Sequence, residues 1–482
     1  MPQSLKQQAV SGIKWSAVES ITLQVVHFAV SLVLARLLEP SDFGLVGMVG
    51  VFVGISGVFV DSGFSQALIR KLDRTESDNA TVFYFNIIIG LLIYVMLFFA
   101  APLIAKFYKE PQLTSITRWV SLMIPLASLG IVQKALLTIC VDFKTQAMAT
   151  IPGALISAIV GIFLAWKGYG VWALVIQQLA GRVSFVILIW TLSKWHPQAR
   201  FSWQSFKNLF GFGSKLLGSG LLNTFYGNMY NLVIGKAYSA SDLGYYSQAS
   251  HFAGLPSGSL TGILQRVVYP ILCKVQNEKA RLAKIYRDFI KLTVFIAFPL
   301  MTGLAAVSHS TIVVLIGEKW AFAGDLLMYM CFAQMWYPVH AINLNPIQAI
   351  GRSDIFLKLE IIKKLIGVAI LFATVHFGLV VMVIGGIVNS LLCLYVNTYY
   401  TDSLINVSLW TQMKDIAPTF ILSMSMFTLI MVFNQFVDNV YVELVGGICL
   451  GAVFYIGCAY LFRFKELQEL IRIITKQDFN HE

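Results

Sequence analysis

Long apolar segments follow one another along almost the whole chain, and they are the feature that most constrains its fold. Each has 21 to 31 residues, and the connections between them are short and polar. About 20 apolar residues are enough for a helix to cross the hydrocarbon core of a bilayer, and lipid offers no hydrogen-bonding partner to an open sheet edge. The chain is therefore predicted to be an all-α, polytopic membrane protein. The fourteen predicted transmembrane helices are 10–36, 43–68, 79–106, 113–138, 145–166, 170–193, 209–236, 242–272, 286–316, 320–350, 356–376, 378–400, 416–436 and 440–463.

Composition supports this class and excludes several others. Of the 482 residues, 57% are hydrophobic and 12% are charged, whereas about 25% of a soluble domain is charged. A soluble enzyme, a disordered protein and a nucleic-acid binder are thereby excluded, although the formal net charge is +11. The six cysteines are scattered, and GxxxxGK[ST], HExxH and GxSxG motifs are absent from the sequence. We therefore predict no catalytic residue, no metal site and no ATPase domain, and a protein that is not an enzyme.

Lysine and arginine concentrate in alternate connections, which predicts an orientation in the membrane. With a cytoplasmic N-terminus, the cytoplasmic side receives the clusters at 70–74, 194–208 and 273–285 and the basic tail from Lys465. Both termini are therefore predicted to be cytoplasmic, with the excess positive charge facing anionic lipid. The two longer connections and the amphipathic tail are predicted to lie along the inner surface. The opposite side has no connection long enough to form a folded domain.

An internal repeat predicts how the helices are arranged. Residues 34–44 match residues 234–244 without a gap, and each copy contains Ser-Asp, one further residue and Gly. Six predicted helices precede residue 208, so the second copy enters the membrane in the same orientation, as in transporters with two similar bundles beside a central cavity. The alternative is that the shared motif only caps the start of a helix. The predicted domains are an N-terminal six-helix lobe at 1–207, a pseudo-symmetric C-terminal six-helix lobe at 208–402, and two additional helices with an amphipathic cytoplasmic tail at 403–482.

Polar residues within the predicted helices indicate what the cavity would hold. A charge at mid-bilayer costs about 2.5–3.5 kcal/mol, so it usually faces a cavity or a partner. Basic residues outnumber acidic ones there, which favours an anionic ligand; an exporter of cations would need buried carboxylates, and only Glu19 and Asp61 qualify. The alternative for the basic residues near the inner surface is that they extend to the headgroups. The residues predicted to hold the anion are Lys14, Arg182, Lys215, His251 and Arg266, and the predicted polar lining comprises Glu19, Gln24, Asp61, Gln66, Asn223, Asn228, Asn231 and Gln248.

Eight short motifs occur in order along the two predicted lobes. They lie at 12–15 (Gly-Ile-Lys-Trp), 34–45, 61–70, 168–174 (Gly-Tyr-Gly-Val-Trp-Ala-Leu), 212–219, 231–235, 243–247 and 266–270. This series resembles the Wzx-type polysaccharide and lipopolysaccharide flippases, and most closely the colanic-acid-exporter branch of the multidrug/oligosaccharidyl-lipid/polysaccharide exporter superfamily. The resemblance covers about residues 5–400 and weakens in the last two predicted helices.

The resemblance implies a protein of the bacterial inner membrane that moves undecaprenyl-pyrophosphate-linked glycan repeat units from the cytoplasmic to the periplasmic leaflet. It also implies alternating access, a role in lipopolysaccharide, exopolysaccharide or capsule biosynthesis, and a glycan polymerase and a chain-length regulator as partners besides membrane lipid. The pyrophosphate would be held by Lys14, Lys215, Arg266, His251 and Arg182. His251 departs from the family, in which this position is often arginine. No cofactor is implied, and coupling to an H⁺ gradient, an Na⁺ gradient or the membrane potential stays open.

Two other functions are compatible with a chain of this kind. The first is an ion-coupled multidrug or small-molecule antiporter of the same architecture, which would need a carboxylate-lined pocket for cations. The second is a membrane-embedded glycan polymerase, which would need a sizeable outer loop for its catalytic residues. The sequence offers few intramembrane carboxylates and only short outer connections, so both are disfavoured.

Overall fold

The computed structural model describes residues 5–474, which form α-helices joined by short connections, without a strand in that range. The chain divides into two compact units, Met1–Gly244 and Tyr245–Glu482. The first unit contains α1 (Leu5–Leu37), α2 (Pro40–Asp61), α3 (Phe64–Arg70), α4 (Glu76–Tyr108), α5 (Leu113–Val120), α6 (Met123–Ile139), α7 (Phe143–Trp166), α8 (Val171–Ser193), α9 (Trp203–Ala237) and the start of α10 (Ala240–Lys274). The second contains the rest of α10, α11 (Lys279–Ala306), α12 (Ser308–Ile316), α13 (Ala321–Gln334), α14 (Tyr337–Ala349), α15 (Ser353–Thr374), α16 (Leu379–Ile405), α17 (Leu409–Asn434), α18 (Val440–Leu461) and α19 (Lys465–Ile474), with 3-10 turns at Glu318–Trp320 and Val375–Phe377.

Each of the fourteen predicted transmembrane segments is helical, and the all-α polytopic fold class is confirmed. Within residues 5–474, ten helical stretches are long and apolar enough to cross a membrane. The other four predicted spans correspond to α9, α10 and α15, which are helical but more polar, and to the pair α13 and α14, which have only 14 and 13 residues. The predicted lobe boundaries at 207 and 402 stay a prediction. The prediction assigns α9 to the C-terminal lobe, and in the structure α9 belongs to the first unit, where it packs on α2, α3 and α4.

Four predicted spans contain a turn that the hydropathy pattern did not reveal. Between α2 and α3, Ser62 and Gly63 adopt left-handed conformations with φ of 45° and 69°. The carboxylate of Asp61 then accepts hydrogen bonds from the backbone N–H and the hydroxyl of Ser65, which starts the next helix. Before α14 the chain turns ahead of Pro338, which is tolerated in a first helical turn because it needs no N–H partner there. The four turns lie at Ser62–Gly63, Ser121–Leu122, Val307 and Met335–Trp336.

The two longer connections that were predicted on the inner side differ from their predicted form. The connection predicted at 273–285 is mostly helix, because α10 continues to Lys274 and α11 begins at Lys279. The connection after α8 is attached to the start of α4: the indole N–H of Trp195 donates to the Glu76 carboxylate at 3.1 Å, and the backbone N–H of Ser202 donates to the Thr81 hydroxyl at 2.9 Å. These contacts hold the chain where it returns into α9.

Small residues bring α7 and α8 into close contact. A Cβ atom added at Gly161 would lie 2.7 Å from Cγ of Gln177, and one added at Gly181 would lie 2.9 Å from Cβ of Ser157. The Ser157 hydroxyl donates to the backbone carbonyl of Gln177 at 2.9 Å. Close approach of small residues is the usual source of helix association in lipid, where there is no hydrophobic drive between apolar surfaces.

The two copies of the repeated motif lie against each other. A Cβ atom added at Gly44 would lie 1.7 Å from the carbonyl oxygen of Ala240, and one added at Gly244 would lie 1.9 Å from the carbonyl oxygen of Pro40. Glycine at both positions therefore lets the first turns of α2 and α10 meet backbone to backbone. The repeat is thus a reciprocal packing contact.

The same motif also caps its helix, as the simpler interpretation predicted. The carboxylate of Asp42 accepts a hydrogen bond from the backbone N–H of Glu39 at 3.0 Å, and that of Asp242 accepts one from the backbone N–H of Ser239 at 3.1 Å. Capping and mutual packing are therefore both properties of these residues.

In the second unit, the last helices pack on α11. The phenol of Tyr455 on α18 donates to the backbone carbonyl of Phe295 at 2.9 Å. On α19, Leu467 and Leu470 pack against the same apolar cluster, whereas Ile471 is 48% exposed. The predicted amphipathic tail is therefore a helix with its leucines against the protein as far as Ile474. The part of the predicted tail beyond residue 474 lies outside the described residues.

Candidate functional site

Two long helices, α9 and α10, are too polar to face lipid over their whole length. Each has 35 residues, which at 1.5 Å per residue is about 52 Å and exceeds the hydrocarbon thickness of about 30 Å. Neither belongs to the ten helical stretches between residues 5 and 474 that are apolar enough to cross a membrane. A spanning helix of this composition needs water or polar partners along part of its surface. Seven of the thirteen predicted site residues lie on these two helices: Lys215, Asn223, Asn228, Asn231, Gln248, His251 and Arg266.

One face of α9 packs on α2 through glycines. Gly213 lies against the backbone of Ser62 and Gly63, and a Cβ at Gly220 would be 3.0 Å from Val58. Asn228 is on this face: its amide nitrogen is 3.6 Å from the Cβ position of Gly54, and it donates to the carbonyl of Thr224 at 2.8 Å. Asn228, predicted as cavity lining, therefore lies in the contact between α2 and α9.

Lys215 and two other predicted residues of α9 lie outside that contact. Lys215 and Asn223 are exposed and Asn231 is half-buried. Lys215 is two positions after Gly213, which on a helix is about 200° around the axis and so on the opposite side from the glycine contact. The lysine ammonium is thereby directed away from α2.

The predicted residues of α1 are mostly accessible. Lys14 and Gln24 are exposed and Glu19 is half-buried. Within the described residues, Glu19 forms an ion pair with neither Lys14 nor Lys215. Its carboxylate therefore does not neutralise either lysine.

Asp61 and Gln66 flank the turn between α2 and α3. Asp61 was predicted to line the cavity, but its carboxylate is engaged by the N–H and hydroxyl of Ser65 and so holds the start of α3. Gln66 is exposed one residue further along the chain. Asp61 therefore stabilises the start of α3, whereas the amide of Gln66 does not take part in that contact.

Arg182 is half-buried in the middle of α8. It follows Gly181, where α8 packs on Ser157 of α7. Among residues 5–474 the guanidinium has no carboxylate partner. A half-buried arginine without a counter-ion is the arrangement expected of a residue that meets an anionic ligand or the cavity water.

Three predicted residues lie on the part of α10 that belongs to the second unit. Gln248 is buried at 5% exposure, whereas His251 and Arg266 are exposed. The His251 ring lies 6.2 Å from that of Phe252 in an edge-on arrangement. Next to Arg266, the amide of Gln265 donates to the carbonyl of Ala341 at 3.1 Å and ties α10 to α14. A joint site formed by the residues on α10 and those of the first unit stays a prediction.

Two buried carboxylates were missed by the sequence analysis. The Asp415 side chain is 8% exposed and binds the guanidinium of Arg287 through two hydrogen bonds of 2.6 and 2.9 Å, with the ammonium of Lys291 at 3.2 Å. The Asp78 side chain is 1% exposed and lies 2.7 Å from the ammonium of Lys71. Both carboxylates are already neutralised by cations, so they do not supply the free acidic pocket that a cation exporter would need.

A cluster of polar side chains joins α14 to α16. The imidazole of His340 is 2.9 Å from the hydroxyl of Ser390 and 3.5 Å from the amide of Asn397. Further along, the Tyr286 phenol of α11 donates to the amide oxygen of Asn343. Partners 50 to 57 residues apart cannot be paired from sequence spacing, although buried amides and histidine within apolar segments were a signal that polar contacts exist.

The family model described as "polysaccharide biosynthesis protein" matches residues 33–324. This is more than half of the 482-residue chain, and the chain belongs to this family. The resemblance that the motifs carry is thereby confirmed at the level of the family.

Curated relatives and a solved structure agree with that assignment. The chain is 27% identical over 354 residues to the teichuronic acid biosynthesis protein TuaB of Bacillus subtilis, a match covering 73% of each chain. It is 25% identical over 404 residues to the lipopolysaccharide biosynthesis protein WzxC of Escherichia coli, covering 82% of this chain and 80% of that one. The lipid II flippase MurJ in its inward-closed conformation has the same fold, with a TM-score of 0.76, 16% identity, and coverage of 95% of this chain and all of MurJ.

Proposed function

We propose that this protein is a flippase that moves undecaprenyl-pyrophosphate-linked glycan units from the cytoplasmic to the periplasmic leaflet of the bacterial inner membrane by alternating access. The family, the named relatives and the fold shared with MurJ support a transporter of lipid-linked glycan precursors. The single observation that carries the proposal is that α9 and α10 are long enough to span the bilayer and yet too polar to do so facing lipid. Helices of this kind suit a hydrated route for a sugar headgroup.

The proposed pyrophosphate ligands are Lys14, Lys215, Arg266, His251 and Arg182. Lys14, Lys215 and Arg266 are exposed, and within residues 5–474 none of them forms an ion pair with a carboxylate. Their charge is therefore available to phosphate oxygens, which accept charge-assisted hydrogen bonds from such groups. The exposed amides of Gln24, Gln66 and Asn223 are the proposed contacts of the glycan, and the polyprenyl chain stays in lipid.

Transport of such a headgroup does not require an ion gradient. Moving one negative charge outward across an inside-negative potential of 100 mV releases about 2.3 kcal/mol, so a headgroup with two charges gains about 4–5 kcal/mol. Coupling to H⁺ or Na⁺, and partnership with a polymerase and a chain-length regulator, are further parts of the proposal that the same transport assay can address with gradients and partners added singly.

Neutralising the proposed pyrophosphate ligands tests the function in cells. The triple variant Lys14→Gln, Lys215→Gln, Arg266→Gln should lose at least about 100-fold in the ability to restore surface polymer to strains that lack their own glycan-lipid flippase. Removal of several charge-assisted contacts, each worth about 1.5–3 kcal/mol, accounts for a loss of this size.

A matched control separates this effect from general loss of positive charge. Lys109, Lys167 and Lys207 are also exposed, and replacing all three by Gln should leave complementation intact. Restoration of polymer by the first triple variant at the wild-type level, with equal amounts of protein in the membrane, would contradict the proposed cationic site. Export of hydrophobic cations instead of polymer would favour the antiporter.

A further inference from the structure

A polar cavity opens in the second unit where α11 and α17 begin. Its volume is about 250 Å³. One wall is α11, with four charged side chains, and the other is the turn between α16 and α17. The lining residues are Ala280, Ala283, Lys284, Arg287, Asp288, Lys291, Asn406, Val407 and Thr411.

Two of the three basic side chains of this cavity are fixed by Asp415, which does not itself line the cavity. Asp415 binds Arg287 through both carboxylate oxygens and lies 3.2 Å from Lys291, so two of the three cations have fixed positions. The third, Lys284, is exposed and has no ion pair within the described residues. A cation that lines a cavity and is left unpaired, beside two that are fixed, can accept an anion without breaking an existing contact.

The charge balance of the site suits a single negative charge. Three cations, Lys284, Arg287 and Lys291, face two carboxylates, Asp288 and Asp415, which leaves one positive charge. Glu469 of α19 lies close by, and burial raises the pKa of its carboxyl, with the neighbouring carboxylates of Asp288 and Glu466 raising it further. The cations Arg472 and Lys291 act on the same carboxyl in the opposite direction, so Glu469 has cationic neighbours of its own.

The first turn of α17 adds to the attraction for an anion. This helix has 26 residues, and the Ser408 hydroxyl caps it by accepting a hydrogen bond from the backbone N–H of Thr411 at 3.3 Å. Thr411 itself lines the cavity, so the cavity lies beside the positive end of the helix dipole. The dipole and the three side chains act on the same space.

Neighbouring residues place the cavity at the depth of lipid headgroups. Trp410, at the start of α17, is 71% exposed, and the ammonium of Lys414 lies 5.8 Å from its ring centroid. Exposed tryptophan and lysine at the end of an apolar helix are typical of the membrane–water interface. An anionic group carried by a membrane lipid can therefore reach the cavity from the side of α17.

We propose that this cavity binds the phosphodiester headgroup of an anionic membrane phospholipid, with Lys284 and Arg287 as its direct contacts. The bound lipid would bridge α11 and α17, and this role is independent of the transported glycan. Basic pockets between helices at a membrane surface are the known chemistry for such headgroups. Phosphatidylglycerol, whose headgroup carries one negative charge, is the probe of choice.

The test measures the apparent Tm of the delipidated full-length protein in a non-ionic detergent during titration with phosphatidylglycerol, phosphatidylcholine or inorganic phosphate. A ligand that binds only the folded protein raises its stability with concentration. Phosphatidylglycerol should raise the Tm of the wild type more than phosphatidylcholine does, and the Lys284→Gln variant should need at least about threefold more phosphatidylglycerol for half of the effect. Lys284→Arg, which keeps the charge, should behave as the wild type.

The control variant is Arg281→Gln. Arg281 lies one helical turn before Lys284, is exposed and does not line the cavity; among residues 5–474 its ion pair is with Glu278, at 3.5 Å. It removes the same net charge, so it should leave the phosphatidylglycerol titration unchanged. Equal responses of Lys284→Gln and the wild type, or of the two lipids, would overturn the proposal. A full response to inorganic phosphate alone would overturn its lipid part and indicate a site for free anions.

Discussion

At the scale of single residues, several polar side chains have structural roles that the sequence did not predict. Asp61 and Asn228 were predicted to line a cavity, but the first holds the start of α3 and the second lies between α2 and α9. Asp415 was not singled out, because its partner Arg287 is 128 residues away in the sequence. Pairing across such a separation depends on the packing of α11 on α17, which no local pattern encodes.

Removal of the Asp415 carboxylate should destabilise the second unit. The Asp415→Asn variant leaves Arg287 and Lys291 without their shared anion, and breaking a fully buried pair costs about 3–5 kcal/mol. Because these two side chains are 39% and 31% exposed, water screens the loss, and we expect about 1–2 kcal/mol. The measurement is the apparent Tm of the purified protein in detergent.

The Asp354→Asn variant is the control for that prediction. Asp354 also binds an arginine, Arg352, through two hydrogen bonds of 2.7 and 2.9 Å, but it lies at the surface with 64% of its side chain exposed. Its loss should leave the apparent Tm unchanged, since water replaces the contact. If the two variants were equally stable, the pair at Asp415 would not contribute as proposed.

At the scale of helices, the existence of each element followed from hydropathy, whereas its internal breaks did not. The segments predicted at 79–106 and 145–166 are the single helices α4 and α7. The segment at 320–350 is divided before Pro338, although prolines elsewhere, such as Pro152 and Pro256, stay inside unbroken helices. The presence of a proline therefore does not predict whether a helix ends or continues there, because the neighbouring helices determine whether the freed backbone groups find hydrogen-bonding partners.

The glycine contact between α2 and α10 yields a prediction about packing. Gly44→Ala places a methyl group 1.7 Å from the carbonyl oxygen of Ala240, so the two helices must separate. We expect a loss of about 1–3 kcal/mol, typical of overpacking, measured as a lower apparent Tm. Gly244→Ala, with its Cβ 1.9 Å from the carbonyl oxygen of Pro40, should have a similar effect.

Gly50→Ala is the matched control on the same helix. No atom lies within 4 Å of a Cβ added there, and alanine favours a helix over glycine by about 1 kcal/mol. This variant should be as stable as the wild type or slightly more stable. A Gly44→Ala protein with the stability of Gly50→Ala would show that the reciprocal contact is not tight in the membrane.

At the scale of the whole molecule, the sequence predicted the family and the helical class, and the comparisons confirm both. The repeat at 34–44 and 234–244 predicted two related halves, and the structure adds that its two copies lie against each other. The sequence could not define which basic residues share a cavity, since this depends on how helices far apart in the chain are placed. The predicted lobes and pyrophosphate ligands therefore stay predictions.

The membrane orientation is a whole-molecule prediction that fusions can test. Alkaline phosphatase, which is active only outside the cytoplasm, should be active when fused within 109–112 or 435–439, the connections after α4 and α17. It should be inactive when fused within 275–278, between α10 and α11. Basic residues flank the connection at 275–278, and this is the reason that we expect it on the cytoplasmic side. The reverse pattern of activity would contradict the orientation with both termini inside.

Transport by the purified protein tests the central claim most directly. The protein is reconstituted into vesicles that contain a labelled undecaprenyl-pyrophosphate-linked oligosaccharide, and the fraction of label accessible to a membrane-impermeant glycosidase is followed with time. We predict that wild-type protein makes nearly all the label accessible, whereas vesicles with the Lys14→Gln, Lys215→Gln, Arg266→Gln variant stay near the half that faces outward at the start. Label that stays half-protected with the wild-type protein, across several glycan types, would contradict the account.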